Sequence, residues 1–248
     1  MKYLTKNFYS TIVVVLIAAA SAYSQTVTFN GRVTDQATGQ GLANVAVVAL
    51  GNQTGTRVSV TDTQGGYSIT MGPNTNIRLR AYRQTYFFNP AQIGFVSLGP
   101  PMTGTVPLDF TGTSIPFPIL IFGQAPIVLT EDNSLTALAL DSVFFTRDPM
   151  TPTNEQYFGN DKRTRITLFV VDLELFSGEN LSIVTSQCID TSLVAHSLVV
   201  EDLRKVPGVP WMTQLTLRLP GNVTLPNELS ITVTVRGQTS NATKLKLQ

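Results

Sequence analysis

The sequence is poor in the side chains from which most active sites are built. Its 248 residues include one histidine, one cysteine and one tryptophan, and charged residues make up 13 %. That charged share is about half of the usual value for globular proteins. A single cysteine excludes an intramolecular disulfide. A net charge of +1 lacks the basic field with which proteins bind phosphate backbones, so nucleic acid is not an expected partner.

Long hydrophobic runs are also scarce, and the N-terminus carries the one that matters. Lys2 and Lys6 precede an unbroken apolar stretch at 12–20, which small residues follow. The stretch is about half of the ~20 residues that span a bilayer. Residues 1–24 are therefore predicted to be a secretory signal that is removed, the alternative being an uncleaved anchor.

The expected compartment follows from this signal. No other apolar stretch is long enough to span a membrane, so no membrane insertion is expected after the signal is removed. We predict a protein that is secreted or periplasmic, with association at the cell surface as a further option. An exported chain without disulfides fits a bacterial source.

Beyond the signal, the patterning predicts an all-β protein. Apolar residues alternate with period two, as in Tyr67, Ile69 and Met71, and turn residues recur every ten to twelve positions. The run at 77–82 predicts a half-exposed strand in which Arg78, Arg80 and Tyr82 face solvent, and the alternation at 138–146 predicts one long strand. No helical period separates these runs, so we expect two tandem β-sandwich modules.

The predicted boundaries place the first module at 26–112 and the second at 127–248. Between them, 113–126 is an apolar, proline-rich connector, read either as a stiff segment packed between modules or as the first edge strand of the second.

Three motifs carry a family resemblance in the first module. Gly31-Arg32-Val33-Thr34-Asp35, Gly41-Leu42-Ala43-Asn44-Val45 and the run 61–67 resemble the carboxypeptidase regulatory-like domain, which is similar to transthyretin-like and starch-binding-like modules. The resemblance implies a seven-stranded Greek-key, prealbumin-like sandwich without catalysis. Related adhesins cross-link themselves through a buried lysine, but 26–112 contains no lysine, which excludes that bond here.

The end of the second module resembles a different group. Val233-Thr234-Val235-Arg236-Gly237, together with the strand that closes the chain, is similar to Ig-like IPT/TIG modules of secreted bacterial proteins. This resemblance implies an Ig-like sandwich used in adhesion or assembly.

Catalytic chemistry finds little support in the sequence. His196 is the only histidine, whereas a triad needs its histidine beside two partners and zinc sites usually need several His or Cys ligands. Cys188 would be a nucleophile only if a hairpin brought His196 next to it as a base. A buried, inert thiol is the simpler interpretation. We predict that the chain is not an enzyme and that it has no cofactor and no metal site.

Calcium binding in the polar loop 148–161 stays an open alternative. The loop offers Asp148, Asn154, Glu155 and Asp161, but it lacks the regular Asp spacing of a calcium loop.

The aromatic side chains give the candidate binding residues. Tyr82, Tyr86, Phe87 and Phe88 cluster after a strand, and Trp211 precedes another. Core packing is one interpretation of these five, and stacking against a sugar ring is the other. We therefore predict a non-catalytic module pair that mediates protein–protein or cell-surface contacts, with carbohydrate binding as the alternative. The expected partner is an extracellular protein or a glycan.

Overall fold

The computed structural model describes residues 25–115 and 124–248. These ranges contain eighteen β-strands and one 3-10 turn, and no α-helix. The predicted all-β class is confirmed. In the described parts of the chain, no helix combines the length and apolarity needed to cross a membrane. The predicted signal, 1–24, lies outside the described residues.

The strands are β1 Val27–Asp35, β2 Ala46–Gly51, β3 Gly55–Val60, β4 Gly66–Met71, β5 Asn76–Tyr82, β6 Tyr86–Asn89, β7 Ile93–Val96, β8 Gly104–Pro107, β9 Phe110–Ser114, β10 Ile127–Val128, β11 Ala139–Asp141, β12 Arg165–Val171, β13 Val184–Ile189, β14 Ala195–Val206, β15 Val209–Arg218, β16 Asn227–Val235, β17 Gln238–Thr239 and β18 Thr243–Leu247.

Strands β1 to β9 form two sheets, which we call the first unit. One sheet has the order β4-β1-β9-β6, with β8 also pairing with β1, and the other has the order β3-β2-β5-β7. Alternate residues of both sheets point into one apolar core, whose largest fully buried side chains include Phe29, Phe110, Met71, Ile77 and Leu79. The resemblance implied seven strands, whereas the first unit has nine. Residues 104–114 supply two of them, β8 and β9, because Leu108 and Asp109 interrupt the pairing with β1.

Strands β10 to β18 form a single nine-stranded sheet, which we call the second unit. Strand β14 pairs with β13 at one end and with β15 at the other, and its register shifts between Val200 and Asp202. The shift lets the sheet bend around its own core, since a bulge increases local twist. That core contains Ile166, Leu217 and Ile231.

One strand prediction in the second unit was too long. The run 138–146 forms a strand only over β11, because the Asp141 carboxylate accepts the backbone N–H groups of Val143 and Phe144 and so starts a turn. Strand β12 ends at Val171, because Asp172 adopts a left-handed backbone with φ 60°. Side chains that bond nearby backbone groups compete with sheet pairing in this way.

The two units meet through an apolar contact that also corrects the exposure predicted for β5. Val48 and Tyr82 of the first unit pack with Ile127, Leu129 and Val171 of the second. Tyr82 is consequently 8 % exposed and Arg80, its neighbour on β5, 4 % exposed, where alternation predicted solvent. The sequence pattern could not reveal this, because the covering surface comes from a distant part of the chain.

Reciprocal hydrogen bonds fix the same joint. The Thr56 N–H donates to Thr130 Oγ1 at 2.8 Å, and the Thr130 N–H donates to Thr56 Oγ1 at 2.7 Å. Both threonines are buried. Bonds of this kind, which satisfy two buried donors at once, hold the units in one relative orientation.

Candidate functional site

A cleft of about 310 Å³ lies beside this joint, with walls from both units. We call it the aromatic cleft. The first unit contributes the end of β5, residues of β6 and the loop between them, and the second unit contributes Asp172, residues 174–177 and Arg236. The volume falls at the lower end of the range typical of ligand pockets, about 300–1,000 Å³.

Four of the five predicted binding residues line the aromatic cleft. Phe87 is 40 % exposed and Tyr86 is half-buried, while Tyr82 and Phe88 are buried. Trp211 lies elsewhere: it is half-buried against the apolar contact between the units. The structure thus brings the cluster together with parts of the second unit and leaves Trp211 out.

The ring of Tyr86 has little free surface for stacking. The guanidinium of Arg83 lies 4.8 Å from its centroid, and the ring of Phe88 stacks on it at 6.1 Å. Cation–π and stacked contacts hold such rings in one orientation. Among the four aromatic residues, Phe87 therefore offers the largest free apolar surface.

The opposite wall was not predicted from the sequence. The guanidinium of Arg236 lies 3.7 Å from the centroid of the Phe176 ring, and its Nε donates to Glu179 Oε1 at 2.8 Å. Glu179 also accepts the Phe176 N–H, so the wall is held by one carboxylate. Phe176 and Arg236 lie sixty residues apart, and no local pattern links them.

A partly buried charged cluster lies at the base of the cleft. Arg80 Nη2 lies 3.3 Å from Asp172 Oδ2, and Lys205 Nζ lies 3.4 Å from Glu174 Oε2. Burial raises the pKa of Asp172 to about 6, against the opposing effect of Arg80. Burial also raises the pKa of Tyr82, with the negative charges of Glu174 and Asp172 adding to it. A charge in a dry environment costs free energy unless it is fully paired.

The reactive side chains lie away from this cleft. The hairpin of β13 and β14 places Cys188 opposite His196, and Asp190 Oδ2 lies 3.0 Å from His196 Nε2. The hairpin thus brings the three residues to one place, but His196 pairs with Asp190, and Cys188 is fully buried among the described residues. Burial, with a contribution from the negative charge of Asp190, raises the pKa of the thiol to about 12. A thiolate is therefore scarce at neutral pH.

In the polar loop 148–161, the carboxylate of Asp161 forms ion pairs with arginine side chains. Asp161 Oδ2 lies 2.7 Å from Arg163 Nη2 and 2.6 Å from Arg218 Nη1. Hydrogen bonds from Arg163 hold the pKa of Asp161 well below the usual range. Within residues 25–115 and 124–248, no three His, Cys, Asp or Glu side chains come together as a metal site. Calcium binding by this loop stays the alternative that the sequence suggests.

The arrangement is suited to binding an apolar group. Its walls are apolar rings held by cations, and its charged groups are paired at the base. Such a preformed surface accepts an apolar group without reorganisation, which favours binding.

Comparisons with known proteins identify no family. No family model matches the chain, and no curated protein matches it. The resemblances to the carboxypeptidase regulatory-like and IPT/TIG modules therefore stay predictions.

Several solved structures share weak similarity. The 3-chlorocatechol 1,2-dioxygenase of Rhodococcus opacus 1CP is 12 % identical over 39 % of this chain and 62 % of its own, with a TM-score of 0.28. The TIE protein of Bacillus anthracis is 7 % identical over 90 % of this chain and 32 % of its own, with a TM-score of 0.30. BcpA, the major pilin subunit of Bacillus cereus, is 8 % identical over 90 % of this chain and 70 % of its own, with a TM-score of 0.28.

This chain thus matches less than two thirds of the dioxygenase and about a third of the TIE protein. At these TM-scores the similarities carry no conclusion about function.

Proposed function

We propose that this chain is an exported, non-catalytic binding protein that docks a partner protein or cell-surface component through the aromatic cleft. The observation that carries the proposal is the convergence of rigid side chains from both units on one cleft. Arg83 holds Tyr86 on one wall, Arg236 holds Phe176 on the other, and Phe87 stays 40 % exposed. The fitting occupant is an apolar side chain of the partner, because buried aromatic anchors dominate binding energy at interfaces.

The chemistry of the chain agrees with a role without catalysis. Its one thiol is buried, with a pKa of about 12, and its one histidine is held by Asp190 in a hairpin outside the cleft. Neither group can reach a molecule that occupies the cleft.

The finer assignments belong to the same proposal. We assign 1–24 as a secretory signal, 26–112 as a carboxypeptidase regulatory-like module, 113–126 as the connector and 127–248 as an IPT/TIG-like module. The motifs quoted above support both module assignments. Export places the cleft in the periplasm or at the cell exterior, where the partner must be found.

Site-specific photo-crosslinking tests the docking role. A photoreactive phenylalanine analogue replaces Phe87 in cells that produce the protein, and in parallel it replaces Phe158, which is 94 % exposed and not in the cleft. We expect one discrete crosslinked product from position 87 and none of that size from position 158.

Competition then separates docking from chance contact. An unlabelled excess of the wild-type chain should suppress the product, and an excess of a Phe87→Ser, Phe176→Ser variant should not. Identical products from both positions, or suppression by the double variant, contradict docking at the cleft.

Carbohydrate stacking is the weaker alternative for this cleft. A neutral sugar needs an open ring face, whereas Arg83 and Phe88 cover Tyr86 and the rings of Tyr82 and Phe88 are buried. An array of neutral polysaccharides, with Tyr86→Ala and Phe87→Ala as controls, checks it. Binding that both substitutions abolish would favour the sugar over a protein partner.

A further inference from the structure

A second cavity lies on the other side of Arg80. It has a volume of about 400 Å³ and is lined by residues of β2, β5 and β17 and by the segment 124–127. We call it the arginine pocket, after Arg78 and Arg80, which both line it. Of the arginine and glutamine residues that line this pocket, Gln124 also lines the aromatic cleft and the others do not.

The two arginines of this pocket have spare hydrogen-bonding capacity. Arg80 is 4 % exposed; its Nη1 donates to the Ala125 carbonyl at 2.9 Å, but its buried Nε has no acceptor in the described residues. Arg78 is exposed, and it forms no ion pair or side-chain hydrogen bond with any residue of 25–115 or 124–248. A buried donor without an acceptor costs about 1–3 kcal/mol, so a ligand that supplies an acceptor stabilises this arrangement.

No carboxylate of the chain is placed to supply that acceptor inside the pocket. The residues that line the pocket include no Asp or Glu. The segments 1–24 and 116–123 contain none in their sequence. The nearest acid, Asp172, contacts Arg80 from the side of the aromatic cleft. Of the two arginines, Arg80 is therefore compensated by Asp172, whereas Arg78 brings to the pocket a positive charge that no described residue pairs.

The rest of the lining is neutral and rich in hydrogen-bonding groups. The side chains of Gln92, Gln124 and Gln238 line the pocket and form no hydrogen bond with the described residues, and the Thr239 hydroxyl lies beside them. An amide side chain both donates and accepts, as sugar hydroxyls require. These amides are exposed or half-buried, so they can exchange bound water for the hydroxyls of a sugar, which a simple aliphatic carboxylate does not offer.

We propose that the arginine pocket binds a sugar acid. The carboxylate of the sugar lies between the guanidinium groups of Arg78 and Arg80, and its hydroxyls exchange hydrogen bonds with Gln92, Gln124 and Gln238. Guanidinium groups match the planar carboxylate with paired N–H donors, and these charge-assisted bonds are among the strongest in proteins. A cavity of about 400 Å³ accommodates a mono- or disaccharide. The proposal does not depend on protein docking at the aromatic cleft.

Calorimetric titration with D-glucuronate and D-galacturonate tests the proposal on the full mature chain. We expect saturable binding of at least one of them, and none of D-glucose or D-galactose at the same concentrations. Arg78→Gln should weaken binding about ten-fold or more, because it removes one charged hydrogen-bonding partner. Arg78 is exposed, so the variant should fold, and an unchanged unfolding temperature verifies this.

Matched variants locate the site. Arg83→Gln removes an arginine that lines the aromatic cleft and should leave sugar-acid affinity unchanged. Gln238→Ala should lower the affinity for the sugar acid several-fold. It should leave the affinity for acetate unchanged, because acetate has no hydroxyls.

Three results overturn the proposal: no binding of either sugar acid, equal binding by wild-type and Arg78→Gln, or binding of inorganic phosphate or L-glutamate as tight as that of the sugar acid. None of these bears on the crosslinking from Phe87, so the two proposals fail separately.

Discussion

Arg80 on β5 and Asp172 at the end of β12 form an ion pair across the joint of the two units, with Nη2 3.3 Å from Oδ2. The pair lies between the aromatic cleft, which Asp172 lines, and the arginine pocket, which Arg80 lines. A change in the strength of this ion pair should therefore alter both cavities and the stability of the joint.

The stability of the protein should depend on the protonation of Asp172. Burial raises the pKa of Asp172 to about 6 in the folded protein, whereas an unfolded aspartate titrates near 3.9. The folded state thus binds more protons between these values, so this group's contribution to stability is present below about pH 4 and is lost as pH rises to 6.

Asp172→Asn should remove this dependence. The amide has no proton to lose, and asparagine tolerates the left-handed φ of 60° at this position. The free energy of unfolding of the variant, taken relative to that of wild type, should rise by on the order of 2 kcal/mol from pH 4 to pH 7. Denaturant unfolding of both proteins across this range measures the difference. A difference that stays constant with pH contradicts the raised pKa of Asp172.

Arg80→Met should destabilise the joint at pH 7. It removes the counterion of Asp172 and the donor to the Ala125 carbonyl. Loss of one member of a fully buried pair costs about 3–5 kcal/mol, and because the Asp172 side chain is 23 % exposed we expect about 2–3 kcal/mol here. The Arg80→Met, Asp172→Asn double variant should recover a large part, because no buried charge is left unpaired. Arg204→Met is the matched control: its side chain is 75 % exposed, and we expect less than about 1 kcal/mol. Equal losses in all three variants would show that the pair at the joint is not buried.

Thr130→Val should cost about 1–3 kcal/mol in the free energy of unfolding. Valine has the shape of threonine but no Oγ1, so the buried Thr56 N–H loses its acceptor at 2.8 Å. Thr28→Val removes a hydroxyl that pairs with Thr70 at 3.0 Å on the surface and should cost less than about 0.5 kcal/mol. Denaturant unfolding compares the two, and similar losses would mean that the joint is solvated.

Gly55→Ala should disrupt the joint sterically. A Cβ at Gly55 would lie 2.0 Å from the Ser134 carbonyl oxygen and 2.2 Å from Thr130 Oγ1, both in the second unit. Gly39 has nearly the same backbone, φ 70° against 69°, but nothing lies within 4 Å of its Cβ position. Gly39→Ala thus reports the backbone strain alone, of order 1–3 kcal/mol. We expect Gly55→Ala to cost at least about 2 kcal/mol more in the same unfolding assay. Equal costs would place the second unit further from β3.

Cys188 should resist alkylation in the folded protein. Its thiol is fully buried and has a pKa of about 12, so little thiolate forms at pH 8. Iodoacetamide labelling followed by mass spectrometry should proceed at least about a hundred-fold faster in denaturant than in buffer. Rapid labelling of the native protein would revive a nucleophilic role beside His196.

The sequence alone determined the features that depend on neighbouring residues. Alternation of apolar and polar side chains, as in Tyr67, Ile69 and Met71, predicts strands, because successive side chains of a strand point to opposite faces. The same alternation predicted strands β4 and β5 and the all-β class. The aromatic cluster was recognised for a similar reason, since Tyr82 to Phe88 are close along the chain.

The tertiary structure decided which distant residues meet. Arg80 and Tyr82 have the spacing of exposed positions, yet the second unit covers them. Nothing in the sequence marks Phe176, and Arg236 was noted only as part of a family motif, but the fold places both in the cleft with Tyr86 and Phe87. Local periodicity fixes the direction of a side chain relative to its own strand. What that side chain touches depends on how the sheets pack, and packing is set by contacts between segments far apart in the chain.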